Sequence, residues 1–181
     1  IVHGGGKKVQ AWQMQFGLRS RYVEGLRVTD DVSIEIVEAV LSGLINKHIV
    51  ARLLQAGIPA IGLSGVDNRL ISVRKMVHVR GDLGWVGEIV AVEPAVLHQM
   101  LTAGLTPVVS PVSIGPAGHS YNVNADHAAR AVAVALDAAR VTFLTNVPGL
   151  RIAGEILPTV TVGQVEGWIE TGEISGGMIP K

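Results

Sequence analysis

Between Ser120 and Asp126 the chain reads Ser-Tyr-Asn-Val-Asn-Ala-Asp, so Asn122, Asn124 and Asp126 set two amides and a carboxylate close together. An Ala- and Val-rich helix is expected over 125–139, apolar enough all round to be buried. Asp126 in its first turn suits the partial positive charge of a helix N-terminus. One cap needs one short polar side chain; three of them ahead of an apolar helix point beyond a cap, to a site for a polar ligand. A second constellation opens the chain, where Ile1-Val2 reads as a strand end, His3-Gly4-Gly5-Gly6-Lys7-Lys8 follows, and residues 9–16 suit a helix. Strand, glycine run and helix start gather backbone N–H groups around one point, an arrangement that holds phosphate; an ordinary tight turn is the plainer account. Arg27 offers a planar, permanently charged fork for a carboxylate, and Lys181 follows a second glycine pair, Gly176-Gly177.

Composition narrows the chemistry. Of 181 residues 48% are apolar and 17% charged, with 22 Gly, the profile of an α/β protein with tight loops rather than a disordered chain. Zero formal net charge gives no general pull toward nucleic acid or anionic membrane. Without Cys there are no disulfides or thiolate metal sites, which suits a cytoplasmic protein. No apolar run approaches the ~20 residues of a membrane span and no leader peptide is read, so a soluble protein without a membrane partner is expected. His3, His48, His78, His98, His119 and His127 lack ligand spacing, so no metal site is expected. There is no Gly-x-Ser-x-Gly elbow, and the glycine run is neither a Walker A loop nor a full dinucleotide fingerprint. Phosphoryl transfer remains, a reaction in which the protein mainly positions phosphates and spreads developing charge over N–H and ammonium donors. A carboxylate acceptor is already ionised at neutral pH, so Asp126 would organise rather than abstract a proton.

The elements that must position these groups alternate between strand and helix. Thr29 or Asp30 can cap a long helix over 31–56, with Ile34, Val37, Leu41, Leu44, Ile45, Ile49 and Leu53 at helical spacing and Gly57 ending it. Strands are expected at 60–65, within 70–79, at 88–92, at 106–111 and at 140–144, short helices at 94–103 and 162–171, and a hairpin over 151–160. The pattern predicts an α/β protein: an open, mostly parallel central sheet with helices on both faces and a small β insertion in its middle. Ligands collect at the carboxyl ends of such strands, where the Thr145–Leu150 loop lies.

The order of the motifs resembles that of the acetylglutamate kinases, of the amino acid kinase family. The matching runs are Val2-His3-Gly4-Gly5-Gly6, Gly25-Leu26-Arg27-Val28-Thr29-Asp30, Asn46-Lys47, Gly62-Leu63-Ser64-Gly65, Tyr121-Asn122-Val123-Asn124-Ala125-Asp126, the Thr145–Leu150 loop and Gly177-Met178-Ile179-Pro180-Lys181. The resemblance implies ATP-dependent phosphorylation of the side-chain carboxylate of N-acetyl-L-glutamate in arginine biosynthesis. Under it Gly5 and Gly6 would hold the transferring phosphoryl group and acceptor through N–H groups. Gly25, Leu26 and Arg27 would bind the amino acid, Arg27 on its α-carboxylate, with Asn122 and Asn124 beside it. Asp126 would hold the catalytic lysines, and Lys181 would stabilise the transition state. Thr145, Asn146, Val147, Pro148, Gly149, Leu150, Ile174 and Ser175 would meet ATP, with Mg²⁺ arriving on the nucleotide. Residues 1–140 would form the acceptor domain, lacking its first strand, and 141–181 the beginning of the nucleotide-binding domain. A homodimer through the 31–56 helix is the family expectation, with a hexamer open.

Two alternatives stand beside this. Asn146-Val147-Pro148-Gly149-Leu150 and 60–67 look like the sister kinase acting on α-aminoadipate borne on a carrier protein. From another class, a non-catalytic amino-acid-binding module would keep Arg27 and Asn122 and need no nucleotide. The chain reads as truncated at both ends, with the family's Lys-x-Gly-Gly strand ahead of Ile1. The 181 residues alone are therefore expected to be inactive, and acetylglutamate-dependent ADP formation by them would refute this. The glycine run, Arg27, Asn122 and Asp126 are expected at one cleft, with Lys181 facing it.

Overall fold

The computed structural model describes residues 1–145, 147 and 149–174, which pack as two compact units, Ile1–Ala139 and Arg140–Lys181. The first unit runs through α1 (Gly6–Gln15), β1 (Tyr22–Val23), β2 (Leu26–Arg27), α2 (Asp31–Glu38), a π-helical stretch (Ala39–Ile45) and α3 (Asn46–Gln55). It continues through β3 (Ala60–Gly65), β4 (Ile71–Lys75), β5 (Gly87–Val92), α4 (Ala95–Thr102), β6 (Thr106–Ile114), β7 (Ser120–Asn122) and α5 (Ala125–Ala135).

Strand β6 is the spine of the sheet. Every residue between its ends is buried, as expected of an inner strand covered on both faces. β3 runs parallel to it from Ala60 opposite Thr106 to Ser64 opposite Ser110, and Val2 bridges Val109 in the same sense. β4 is parallel through Ser72 and Ile114, whereas β5 and β7 are antiparallel to their neighbours. Side chains alternate across a strand, so Val109 and Val112 serve opposite faces. Val109 packs with Leu97 of α4 and with Ala128 and Val132 of α5; Val112 packs with Val9 of α1 and with Ile36, Val37 and Leu41. The mostly parallel sheet with helices on both faces is thus as the alternation predicts.

The hairpin β1–β2 turns on Glu24 and Gly25, both left-handed at φ 49° and 82°, the geometry that matches the twist of two short strands. In the second unit β8 (Leu150–Ile152) pairs antiparallel with β9 (Glu155–Leu157), and α6 (Val162–Glu170) starts from a reciprocal Thr161–Gln164 capping box.

Three expectations change. No strand forms over 140–144: the segment has no partner to complete a ladder among the described residues, and Val141 and Leu144 are exposed. α5 ends at Ala135, with Asp137 left-handed at φ 49°, instead of running to 139. It is also covered on one side only, since it lies against the sheet through Ala128 and Val132 and leaves Val134 exposed. The 31–56 helix holds, but with the π stretch inside it, where the Asn46 N–H reaches back to the Leu41 carbonyl.

That widened stretch delivers Asn46 to the centre of the unit. Fully buried, Asn46 donates through Nδ2 to the Val108 carbonyl (2.9 Å) and the Leu63 carbonyl (3.1 Å), and meets His3 Nε2 at 3.2 Å. One amide thereby ties the helix to β3, to β6 and to the segment ahead of the glycine run. His3 completes the knot by placing Nδ1 3.1 Å from the Gly4 carbonyl. The carbonyl can only accept, so Nδ1 carries the proton, and the unprotonated Nε2 shares one of the two Asn46 N–H hydrogens with a carbonyl.

Asn46→Ala removes the donor from two buried carbonyls, and the expected cost is about 3 kcal/mol of unfolding free energy. Urea denaturation of the full-length protein measures it, and a loss below ~1 kcal/mol would show that water replaces the amide at little cost. Burial lowers the His3 pKa, opposed by its bond to the Gly4 carbonyl. The folded state thus binds its proton less readily than the unfolded state. Stability is full above the unfolded value near 6.5 and is lost as pH falls from there through the folded pKa. The urea midpoint is expected to drop between pH 7 and pH 5 and His3→Gln to flatten that drop, leaving the share of His127, which burial also depresses. Equal slopes in the two proteins would refute the assignment.

Candidate functional site

A cleft of about 230 Å³ opens in the first unit where three chain segments meet. Gly4, Gly5 and Gly6 form one wall, Tyr22, Gly25, Leu26 and Arg27 of the hairpin another, and Asn122, Val123, Asn124 and Ala125 a third, over a floor that includes Val9, Val37 and Leu41. α1 begins inside this cleft with Gly5 as its N-cap, and no side chain caps it. The positive end of a helix and its backbone N–H groups therefore border the cavity.

Crowding calls for glycine at position 5 and leaves little room at position 4. A Cβ on Gly5 would run into the Ile45 and Leu41 side-chain ends, and one on Gly4 would lie 3.3 Å from the Ala125 Cβ. A Cβ on Gly6 would stand 3.7 Å from Arg27 Nη2. The glycine run is thus wedged between the long helix, the start of α5 and the arginine.

Arg27 is only 8% exposed, and its partners are neutral. Nη1 donates to Gln13 Oε1 (2.7 Å) and Ser20 Oγ (2.5 Å), Nη2 donates to the Gly6 carbonyl (3.0 Å), and the guanidinium carbon sits 4.8 Å from the centre of the Tyr22 ring. Burial pulls its pKa down while Tyr22 opposes, yet a guanidinium stays charged. A buried cation on neutral oxygens at a cavity wall is a seat for an anion.

Asn122 donates through Nδ2 to Thr29 Oγ1 (3.1 Å), and its backbone N–H reaches the Trp85 carbonyl. Asn124 is the N-cap of α5, its Oδ1 accepting from the N–H groups of Asp126 (2.8 Å) and His127 (3.2 Å). Its carbonyl oxygen therefore does what the plain capping reading predicts, although the residue also lines the cleft. Asp126 stands in the first turn of α5, one residue beyond the lining residue Ala125. Asp30, not Thr29, caps α2 through the Ser33 N–H, and the Ser33 bonds hold its carboxyl below the usual range. Thr29 is instead fully buried, joined to β-loop residues Leu83 and Trp85 through its backbone.

Of the expected nucleotide residues, Thr145, Val147, Gly149, Leu150 and Ile174 belong to the second unit, where Leu150 opens β8 and Ile174 is buried. Asn146, Pro148, Ser175 and Lys181 lie outside the described residues. Sequence reasoning passed over Gln13 and assigned no role to His3 or Asn46, although both stand in the matching motif runs. The signal for Gln13 was a polar residue one helical turn after Val9, on a face that should have been apolar. Among the described residues no group of three or more His, Asp or Glu is placed to hold a metal ion, and no helix is long and apolar enough to cross a membrane.

A triglycine helix start, a buried arginine and the Asn122–Ala125 segment thus line one cleft on a mostly parallel sheet. The chain belongs to the amino acid kinase family, whose model matches residues 1–181. It is a kinase of amino-acid biosynthesis. It is 48% identical over its whole length to an acetylglutamate kinase of Roseiflexus castenholzii, covering 70% of that protein, and 47% identical to one of Chloroflexus aurantiacus, covering 72%. Among solved structures it is similar to smu.665 of Streptococcus mutans, with TM-score 0.90 at 30% identity over 99% of this chain and 73% of that one. It is also similar to the N-acetylglutamate synthase of Neisseria gonorrhoeae complexed with coenzyme A and N-acetyl-glutamate, with TM-score 0.79 at 25% identity over 93% of this chain and 39% of that one.

Proposed function

We propose that the protein transfers the γ-phosphoryl group of ATP to the side-chain carboxylate of N-acetyl-L-glutamate, as in arginine biosynthesis. The observation that carries this is the buried Arg27 guanidinium, held by neutral oxygens at the wall of a cleft of amino-acid size. The names of the relatives support the same acceptor.

In this reading Arg27 takes the α-carboxylate, and Gly25, Leu26, Asn122 and Asn124 surround the rest of the acceptor. The side-chain carboxylate then points toward the glycine run. One of its oxygens forms a bond to the γ-phosphorus as the bond from that phosphorus to the β,γ-bridging oxygen breaks, giving an acyl phosphate and ADP. No proton moves, because acceptor and leaving group are both anions. What the protein must supply is positive potential, and the N–H groups at the start of α1 by Gly5 and Gly6 provide it without side chains. Asp126 orders the catalytic lysines, Lys181 stabilises the transition state, and residues 145–150 with Ile174 and Ser175 meet the nucleotide. The chemistry of the donors fits Mg²⁺ carried on the nucleotide phosphates, where it would neutralise charge, better than an all-protein cage.

The test uses full-length protein, ATP and hydroxylamine to trap acyl phosphate. Hydroxamate is expected with free N-acetyl-L-glutamate, and Arg27→Met should raise the KM for that acceptor about 100-fold while leaving the KM for ATP near its original value. Arg27→Lys keeps the charge without the fork and should recover only part of the loss. Product from carrier-linked aminoadipate and none from free acetylglutamate would overturn the acceptor and leave the kinase.

A further inference from the structure

We propose that Gln13 is a positioning residue for the acceptor site: its side-chain carbonyl aims the Arg27 guanidinium without cancelling its charge. This rests on the reading of Arg27 as the seat of the acceptor carboxylate. Gln13 lies in the last turn of α1, is 1% exposed, and has no place in the cleft itself. Its amide orientation is fixed by its neighbours. Arg27 Nη1 can only donate, so the atom it meets at 2.7 Å is the carbonyl Oε1, and the Nε2 amide then donates to Ser33 Oγ at 2.9 Å. Ser20 closes a triangle, donating to the same Oε1 at 2.7 Å while accepting from Nη1. Behind Ser33 stands the Asp30 cap of α2, which accepts from the Ser33 N–H at 2.8 Å. A relay of bonds therefore runs from a helix cap through two neutral side chains to one nitrogen of the fork, while the other nitrogen is pinned on the Gly6 carbonyl.

Chemistry explains why the residue is Gln. A Glu of the same shape would form an ion pair with Arg27 in a buried setting, hold it at least as firmly, and spend the positive charge that the ligand needs. A Leu or Met would fill the space, leave Nη1 short of an acceptor and free the fork to turn. A carbonyl fixes direction and leaves the charge available, which is the requirement of a pre-organised anion seat.

The two roles open to Gln13, packing and positioning, diverge in Gln13→Met and Ser33→Ala. If Gln13 only packs, the variants that fold leave acceptor binding unchanged. If it positions, full-length Gln13→Met raises the KM for N-acetyl-L-glutamate about tenfold, with a matching rise in Kd by calorimetry and KM for ATP within about twofold of the parent, and Ser33→Ala, which loosens the amide from behind, does so about threefold. Gln13→Glu tests the need for a neutral carbonyl: the fork stays held, its charge is spent, and the acceptor is weakened as well. Ser33→Ala carries the test should Gln13→Met not fold. Acceptor KM and Kd within twofold of the parent in the folded variants would overturn the inference. Should Arg27→Met also leave the acceptor unaffected, the acceptor reading itself falls; should Arg27→Met weaken it and the Gln13 and Ser33 variants not, only the positioning role falls.

Discussion

A side chain at residue 5 would stand where the ends of Leu41 and Ile45 now pack, one at residue 4 would press on Ala125, and one at residue 6 would approach the Arg27 fork. The missing Cβ atoms let three elements converge on the first turn of α1. Of the three positions Gly5 is the most demanding, because its neighbours belong to the buried face of the long helix, where interiors are close-packed and yield little. The π stretch contributes to the same contact, since both Leu41 and Ile45 come from it. Backbone is thereby brought to the cavity wall in place of side chains, and the fixed N–H dipoles at the helix start face the space where a ligand would sit.

Against that wall stands one permanent charge. Removing a guanidinium from water is costly, and neutral hydrogen bonds repay it only in part, so an arginine held by an amide, a hydroxyl and a backbone carbonyl retains unspent attraction for an anion. Had Asp or Glu filled the place of Gln13, the same cost would have been met inside the protein, at the expense of the ligand. The network Asp30–Ser33–Gln13–Arg27 spans a helix cap and two helices, which anchors the fork to the rigid part of the unit even though Arg27 itself belongs to a two-residue strand.

Short polar motifs and helical spacing made much of this legible. The glycine run, Arg27 and Asn122 were recognisable from short polar motifs and their order, and the folded chain gathers them with Asn124 at one cleft, Asp126 standing one residue beyond its lining. Strands over 60–65 and 106–111 were plain from apolar runs ended by turns, though β6 extends further, to Ile114, because β7 pairs back onto its end. The strand read at 140–144 failed because β-propensity describes fit to a neighbour, and no neighbour pairs with that segment among the described residues. Apolar composition likewise overstated the burial of α5, since Ala and Val suit an exposed helix face nearly as well as a buried one when only one side meets the sheet. The bonds of Gln13 and Asn46 were invisible for the opposite reason: they join partners distant in sequence, such as Val108, which periodicity does not encode.

The inventory of the cleft also bears on the order of events in a phosphoryl transfer. Acceptor carboxylate and nucleotide phosphate repel one another, so each must be held before the other will approach. A seat based on a fixed guanidinium and on backbone dipoles carries its potential before either substrate arrives and loses none of it to reorganisation. Asn124 illustrates the economy of the arrangement, capping α5 with its carbonyl while its residue borders the cleft, so that the helix start and the site wall are ordered by the same bonds. His3 serves the glycine run in a similar way, with a neutral ring that holds the Gly4 carbonyl from one side and Asn46 from the other. Burial disfavours a charge on that ring, so the potential at the start of α1 rests on the backbone dipoles and Arg27 rather than on His3.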